Sequence, residues 1–176
     1  MNIIIRQEQP KDHATVFQIV EKAFKEMKYS SHTEQFIVEK LRKSDAFIPE
    51  LSLVAELEGQ LVGYIILSKI QIDNGNQLFD ALSLGPVAVL PKLHQQGIGG
   101  QLIRKAHKIA KSLSHEIIIL LGHKDYYPRF GYEMTNKHGI ELPFNSAPEN
   151  CMVLWLNPDS LKNVSGKVIY SKPFLE

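Results

Sequence analysis

The sequence predicts one α+β domain spanning residues 1–176. Three observations carry that prediction. Strand-like apolar runs alternate with segments whose apolar residues recur at helical spacing. Two of the runs are joined by a tight-turn pair, which reads as a hairpin. No repeat, low-complexity tract or linker interrupts the chain, and 176 residues suffice for one substantial core but are short for two.

The elements follow in order. Residues 2–6, NIIIR, form a short strand, and residues 10–28 carry Val16, Ile19, Val20 and Phe24 at helical spacing. Ser31-His32-Thr33-Glu34 has the form of a capping box ahead of a second helix, FIVEKLRK, with Ser30 and Thr33 competing for the cap. LSLVAEL, the turn pair Glu58-Gly59 and LVGYIILSKIQI make the hairpin. Asp73-Asn74-Gly75-Asn76 then turns the chain into a third long strand, FDALSLGPVAVL. A glycine-led helix follows, with an apolar stripe at Ile98, Leu102, Ala106, Ile109 and Leu113 and a basic face of Arg104, Lys105, Lys108 and Lys111. HEIIILLG is apolar enough for a central strand. CMVLWL and KVIYS are the last strand-like runs.

Composition excludes several functions. With 44% hydrophobic and 22% charged residues and a net charge of +1, no strong field favours nucleic acid or anionic lipid as a partner. Cys151 is the only cysteine, so there is no intramolecular disulfide and no cysteine-rich metal site, and it reads as a small buried hydrophobe. The seven histidines show no ligand-like pairing, so no metal is expected. The N-terminus lacks the apolar core of a signal peptide and no run approaches a membrane span, which predicts a soluble cytoplasmic protein.

Residues 84–110, LGPVAVLPKLHQQGIGGQLIRKAHKIA, carry the functional signal. A glycine-rich turn feeding a helix suits phosphate, because unpaired N–H groups and the helix dipole both favour an anion there. A Walker loop needs lysine and then Ser or Thr after the last glycine, but Gln101-Leu102 follow here. A dinucleotide fingerprint needs a sixth-position glycine, where Leu102 stands, and an acid after the next strand, where Gly122-His123 stand. Both readings fail. A glycine-rich turn without a ligand remains the bland alternative.

The order V-x-V, proline, polar loop, G-x-G and amphipathic helix resembles the acetyl-CoA site of the GNAT N-acetyltransferases. The hairpin before it and Asp125-Tyr126-Tyr127-Pro128-Arg129-Phe130-Gly131-Tyr132 after it match that family's order. The combination LGPVAV, GIGG and YYPRFGY is similar to a small bacterial branch of uncharacterised acetyltransferases. The resemblance covers essentially the whole chain and implies the GNAT fold: a twisted, mixed, mostly antiparallel sheet with a splayed central strand pair, flanked by helices. One position departs from it, because His94 stands where the family usually has Gln or Arg, and Gln95 follows where Gly is common. If the loop backbone binds alone, His94 changes little; if the family's Gln or Arg normally orders the loop, its loss here reduces cofactor affinity.

The resemblance implies acetyl-CoA as cosubstrate and an amine as acceptor, small molecule or peptide. Val87, Ala88 and Val89 would meet the pantetheine arm, and Gln95, Gln96, Gly97, Ile98, Gly99 and Gly100 the pyrophosphate. Direct attack by the amine then needs a stabilised oxyanion, for which the Val87 N–H is the candidate. Tyr127 aligns with the family's general acid, and Tyr126 with a packing aromatic. Pro128 disfavours helical geometry at Tyr127, so a late start is expected for the short helix there. Glu34 is a candidate base, though the capping box is the favoured role for it; His123 is a weaker one. A non-catalytic acyl-CoA-binding or partner-binding domain of the same fold is the rival, and oligomeric state is open, a homodimer included.

Overall fold

The computed structural model describes residues 2–160 and 163–176. The chain divides into two compact units, residues 1–68 with 85–109 and residues 69–84 with 110–176. Two long strands and one helix run from one unit into the other.

The first unit opens with strand β1 (Ile3–Gln7), helix α1 (His13–Phe24) and helix α2 (Glu34–Arg42). Strand β2 (Ser52–Leu57) pairs antiparallel with β1 and with β3 (Gln60–Asp73). Glu58 and Gly59 both take positive φ, 50° and 77°, as a two-residue hairpin turn requires. Strand β4 (Leu78–Val89) and helix α3 (Ile98–Ser112) complete this unit. Val16, Ile19 and Val20 of α1, Leu53 and Val54 of β2, and Leu102 and Ile103 of α3 are almost wholly buried. Within β2 and β3 the burial is nearly continuous, as it must be in strands covered on both faces.

In the second unit, β5 (Ile117–Leu121) pairs parallel with β4 through Leu82↔Ile118 and Ser83↔Ile119. On its other edge lies β8 (Cys151–Trp155), antiparallel, which also pairs β6 (Glu133–Met134). Strand β9 (Gly166–Ile169) pairs β3 antiparallel and β7 (Ile140–Glu141) parallel. The sheet is therefore mixed and mostly antiparallel. Ile72, Ala81, Ile119, Val153 and Val168 form its core in this unit.

Three local expectations are corrected. Helix α1 ends at Phe24 rather than near Lys28, because the His32 ring donates from Nδ1 to the Phe24 carbonyl at 2.9 Å and closes the helix end. The apolar stripe of α3 is Ile98, Leu102, Ile103, Ala106 and Ala110; Leu113 lies past the helix end and is 39% exposed. The chain turns out there through His115 N–H to the Ala110 carbonyl, with Ser114 at positive φ. The capping box at Ser31 does not form: Thr33 sits at the cap position without a side-chain cap bond, its hydroxyl meeting Ser31 Oγ at 2.7 Å.

Charge is buried in the first unit. Arg42 reaches Glu8 through Nη2 at 2.5 Å and Nε at 3.2 Å, and Ser52 Oγ donates to Glu8 at 2.7 Å. Since the Ser52 proton is used, the Tyr64 hydroxyl donates to Ser52 at 2.8 Å. Removing one partner of so enclosed a pair leaves the other charge uncompensated. Arg42→Ala should cost about 3–5 kcal/mol in chemical denaturation.

Nearby, Arg6 grips Asp12 with two hydrogen bonds, 2.7 and 3.1 Å, and the Gln9 N–H adds a third at 2.8 Å. The Arg6 bond, above all, holds the Asp12 carboxyl below its ordinary value of 3.8. A lowered folded pKa gives stability that is fully present above the unfolded value and lost as pH falls through the folded one. Asp12→Asn should therefore be less stable than the parent at pH 6. In denaturant titrations that deficit should shrink steadily as pH falls below 3.8.

Candidate functional site

The site in the first unit starts from strand direction. The Leu90 N–H bonds the Val62 carbonyl at 2.9 Å, so Leu90 faces β3. Backbone groups alternate sides along a strand, so Ala88 also faces β3, while Val87 and Val89 turn their N–H and C=O away from it. A Cβ added at Gly63 of β3 would stand 3.2 Å from the Ala88 oxygen, which agrees. Ala88 is 1% exposed, so neither its backbone nor its side chain is presented on that free edge. The β4–β5 ladder covers Leu82 and Ser83, and β4 continues beyond it to Val89. Val87 and Val89 thus carry backbone groups suited to an extended ligand.

The loop leaves β4 through a 3-10 turn at Pro91–Leu93. His94 Nε2–H donates to the Val89 carbonyl at 2.9 Å, so this side chain orders the loop against the strand end. It also occupies the Val89 oxygen, which leaves the Val87 N–H, Val87 C=O and Val89 N–H as the edge groups left open among the described residues. Gln95 and Gly97 take φ of 62° and 79°. A Cβ at Gly97 would meet nothing within 4 Å, so the loop backbone opens onto free space there. The Gly97 carbonyl accepts the Gln101 N–H at 3.1 Å, which makes Gly97 the residue capping α3. The N–H groups of Ile98, Gly99 and Gly100 then lie in the first helical turn, where no intrahelical acceptor exists. Gly99 and Gly100 themselves do not take positive φ. Residues 94–97 are exposed, and so are Arg104, Lys105, Lys108 and Lys111 of α3.

Glu34, the first residue of α2, is not a capping glutamate. Its Oε1 accepts the Ser30 hydroxyl at 2.6 Å, and its Oε2 is buried without a hydrogen-bond partner among the described residues. A buried lone-pair oxygen without a donor is costly, and it is poised to take one.

In the second unit, Tyr127 opens a 3-10 turn, Tyr127–Phe130, so this helix starts at the tyrosine and not after it. The turn closes on the His123 carbonyl, which accepts the Tyr126 N–H at 3.0 Å, and on Gly131 at φ 96°. Tyr127 thus enters the helical turn despite the proline that follows it. Its ring stands edge-on to Tyr126 and Tyr132, at centroid distances of 5.1 and 5.8 Å. Burial, with a smaller contribution from Tyr126, pushes its hydroxyl well above the ordinary tyrosine value. Tyr126 packs instead between Phe130 and the Arg129 guanidinium, 4.7 Å from the ring centre. His123 is exposed.

Sequence reasoning missed Gly122. A Cβ there would collide with the Tyr127 ring, at Cε2 and at Cδ2, the latter 2.9 Å away. Nothing in the local sequence marks it, since the contact is made by a residue five positions on that only the turn brings back. Cys151 is buried, its thiol lies 3.8 Å from the Ala147 carbonyl, and burial raises its pKa, all of which suit an inert side chain. Among the described residues no group of three or more His, Cys, Asp or Glu is placed to hold a metal, and no helix is long and apolar enough to cross a membrane.

Residues 4–135 match the model of the acetyltransferase (GNAT) domain. The chain is 31% identical over 124 residues to the uncharacterised N-acetyltransferase YjhQ of Escherichia coli K12, covering 70% of this chain and 68% of that one. It is 28% identical to the uncharacterised N-acetyltransferase YhbS of the same strain, over 98% of both chains. Among solved structures, a GNAT family acetyltransferase from Brucella melitensis in complex with acetyl-CoA superposes with a TM-score of 0.81 at 34% identity, over 98% of each chain. The Escherichia coli YhbS structure in complex with CoA gives 0.88 at 25% identity, over 100% of this chain and 93% of that one. The chain therefore belongs to the GNAT family, the acetyl-CoA-dependent N-acetyltransferases.

Proposed function

We propose that this protein transfers the acetyl group of acetyl-CoA to a primary amine by direct attack, without an acyl-enzyme. The observation that carries the reading is the pairing of a free β4 edge at Val87 and Val89 with an open, positive-φ loop that ends in a helix N-terminus. Bound acetyl-CoA would supply an activated thioester; the remaining work falls to the chain. Backbone N–H groups over Gln95–Gly100 hold the pyrophosphate, where the helix dipole adds to their attraction. Edge groups of Val87 and Val89 align the pantetheine arm, and the Val87 N–H stabilises charge growing on the carbonyl oxygen. Glu34 Oε2 takes the proton of the ammonium, which titrates near 10 when free.

The raised pKa of Tyr127 refines its role. A thiol of ordinary pKa near 8.5 leaves as a thiolate that is a weaker base than this phenolate, so complete proton transfer from Tyr127 is uphill. What the hydroxyl supplies is a hydrogen bond that strengthens as negative charge develops on sulfur. The acceptor itself is an amine of a small molecule or a peptide.

Thiol release from acetyl-CoA across an amine panel, with mass detection of the acetylated product, tests the reading; coenzyme A binding without turnover on any amine would favour a non-catalytic binding domain. Five substitutions test its parts. Gly97→Val should weaken acetyl-CoA binding by roughly 1–3 kcal/mol by calorimetry, through strain and lost phosphate bonds, in a folded variant. Tyr127→Phe should lower kcat by roughly 10–100-fold with cofactor affinity nearly unchanged, whereas Tyr126→Phe loses much less. Gly122→Ala, which displaces the Tyr127 ring, should lower kcat in the same direction. Cys151→Ala should turn over near the parental rate, and an acetyl group trapped on Cys151 would contradict direct transfer.

A further inference from the structure

One cavity in the second unit has no part in that chemistry. It measures about 550 Å³ and is lined by Glu133, His138, Trp155 and Val164, among others. Trp155 pairs with Ile117, the first residue of β5, and Glu133 with Val153. Tyr127 belongs to the other end of β5, where the Gly122 N–H bonds the Asn150 carbonyl. The strand is five residues long. At about 3.3 Å per residue, the Trp155 end of the cavity lies roughly 13 Å from that end of the strand, while Glu133, opposite Val153 and so level with Ile119, is nearer to it.

Glu133 is the lining group on which two others converge. Glu133 Oε1 accepts the Trp155 indole N–H at 3.1 Å and the His138 Nε2–H at 2.8 Å. A carboxylate only accepts, so Nε2 carries a proton. The imidazole stands edge-on to the indole, with ring centres 5.0 Å apart. The cavity thus gathers a carboxylate held in one orientation and an indole, a combination that attracts organic cations. Because Oε1 already takes two donors, Oε2 is the oxygen offered to a ligand. That favours a point-like ammonium over a guanidinium, whose fork needs both oxygens.

We propose that this cavity binds a primary ammonium group, at a site separate from acetyl transfer and independent of that assignment. The volume lies within the range of small-molecule sites, roughly 300–1,000 Å³, and admits the aliphatic chain behind the ammonium.

Trp155 is the chain's only tryptophan, so its fluorescence reports the cavity directly. The probes are n-butylammonium for a free amine, Nα-acetyl-lysine amide for a peptide-borne one, Nα-acetyl-arginine amide, and n-butanol as the uncharged counterpart. Saturable changes in emission with one or both ammonium probes, weaker with the arginine derivative and absent with butanol, are expected; the stronger of the two ammonium probes identifies the source. Glu133→Gln keeps an oxygen for Trp155 and His138 but removes the charge, and should weaken ammonium binding about tenfold or more. Should that variant fail to fold, the contrast between butylammonium and butanol on the parent protein decides alone. No saturable response to either ammonium probe at tens of millimolar, an equal response to butanol, or unchanged affinity in folded Glu133→Gln overturns the proposal.

Discussion

One hydrogen bond, Leu90 N–H to the Val62 carbonyl, fixes which way each backbone group near the end of β4 points. Because a strand alternates its polar groups, committing Leu90 and Ala88 to β3 turns Val87 and Val89 to the opposite edge. A one-residue slip would exchange the two sets and bury the edge groups that an extended ligand needs. The same strand end launches the loop, and His94 ties that loop back to Val89. Strand edge and helix N-terminus are therefore held in register by two backbone carbonyls, those of Val62 and Val89.

The chemistry assigned to this scaffold relies on positions more than on strong acids or bases. The loop presents N–H groups, not cations, and the basic residues of α3 lie on its exposed face. Tyr127 is kept neutral by burial, which makes it a steady hydrogen-bond donor and a poor proton donor. It would not ionise over the physiological range, so a loss of rate above neutrality would have to come from another group. Glu34 differs: one oxygen accepts the Ser30 hydroxyl, while the other is buried without a hydrogen-bond partner among the described residues.

Much of the fold was legible in the sequence because it is written in backbone terms. The hairpin at Glu58-Gly59, the strand IIILL and the glycine-led helix depend on local pattern, and each appears where pattern places it. The absence of a lysine after Gly100 likewise excludes one class of phosphate loop outright. What pattern could not show was long-range side-chain contact. The end of α1 is set by His32, eight residues on; the capping box at Ser31 loses to a Ser30–Glu34 bond; Gly122 matters only because a turn returns Tyr127 to it. His94 looked like a departure from the family and proves to order the loop by its own means, a bond no spacing rule foretells.

Amide hydrogen exchange with and without coenzyme A tests the central claim most directly, because it reads the backbone groups themselves. The account predicts marked slowing at Gly97, Ile98, Gly99 and Gly100 and at Val87 and Val89, with little change at Ala88 and Leu90, already turned to β3. Uniform exchange at the loop amides with coenzyme A bound, or protection confined to the side of β4 that faces β3, would contradict it.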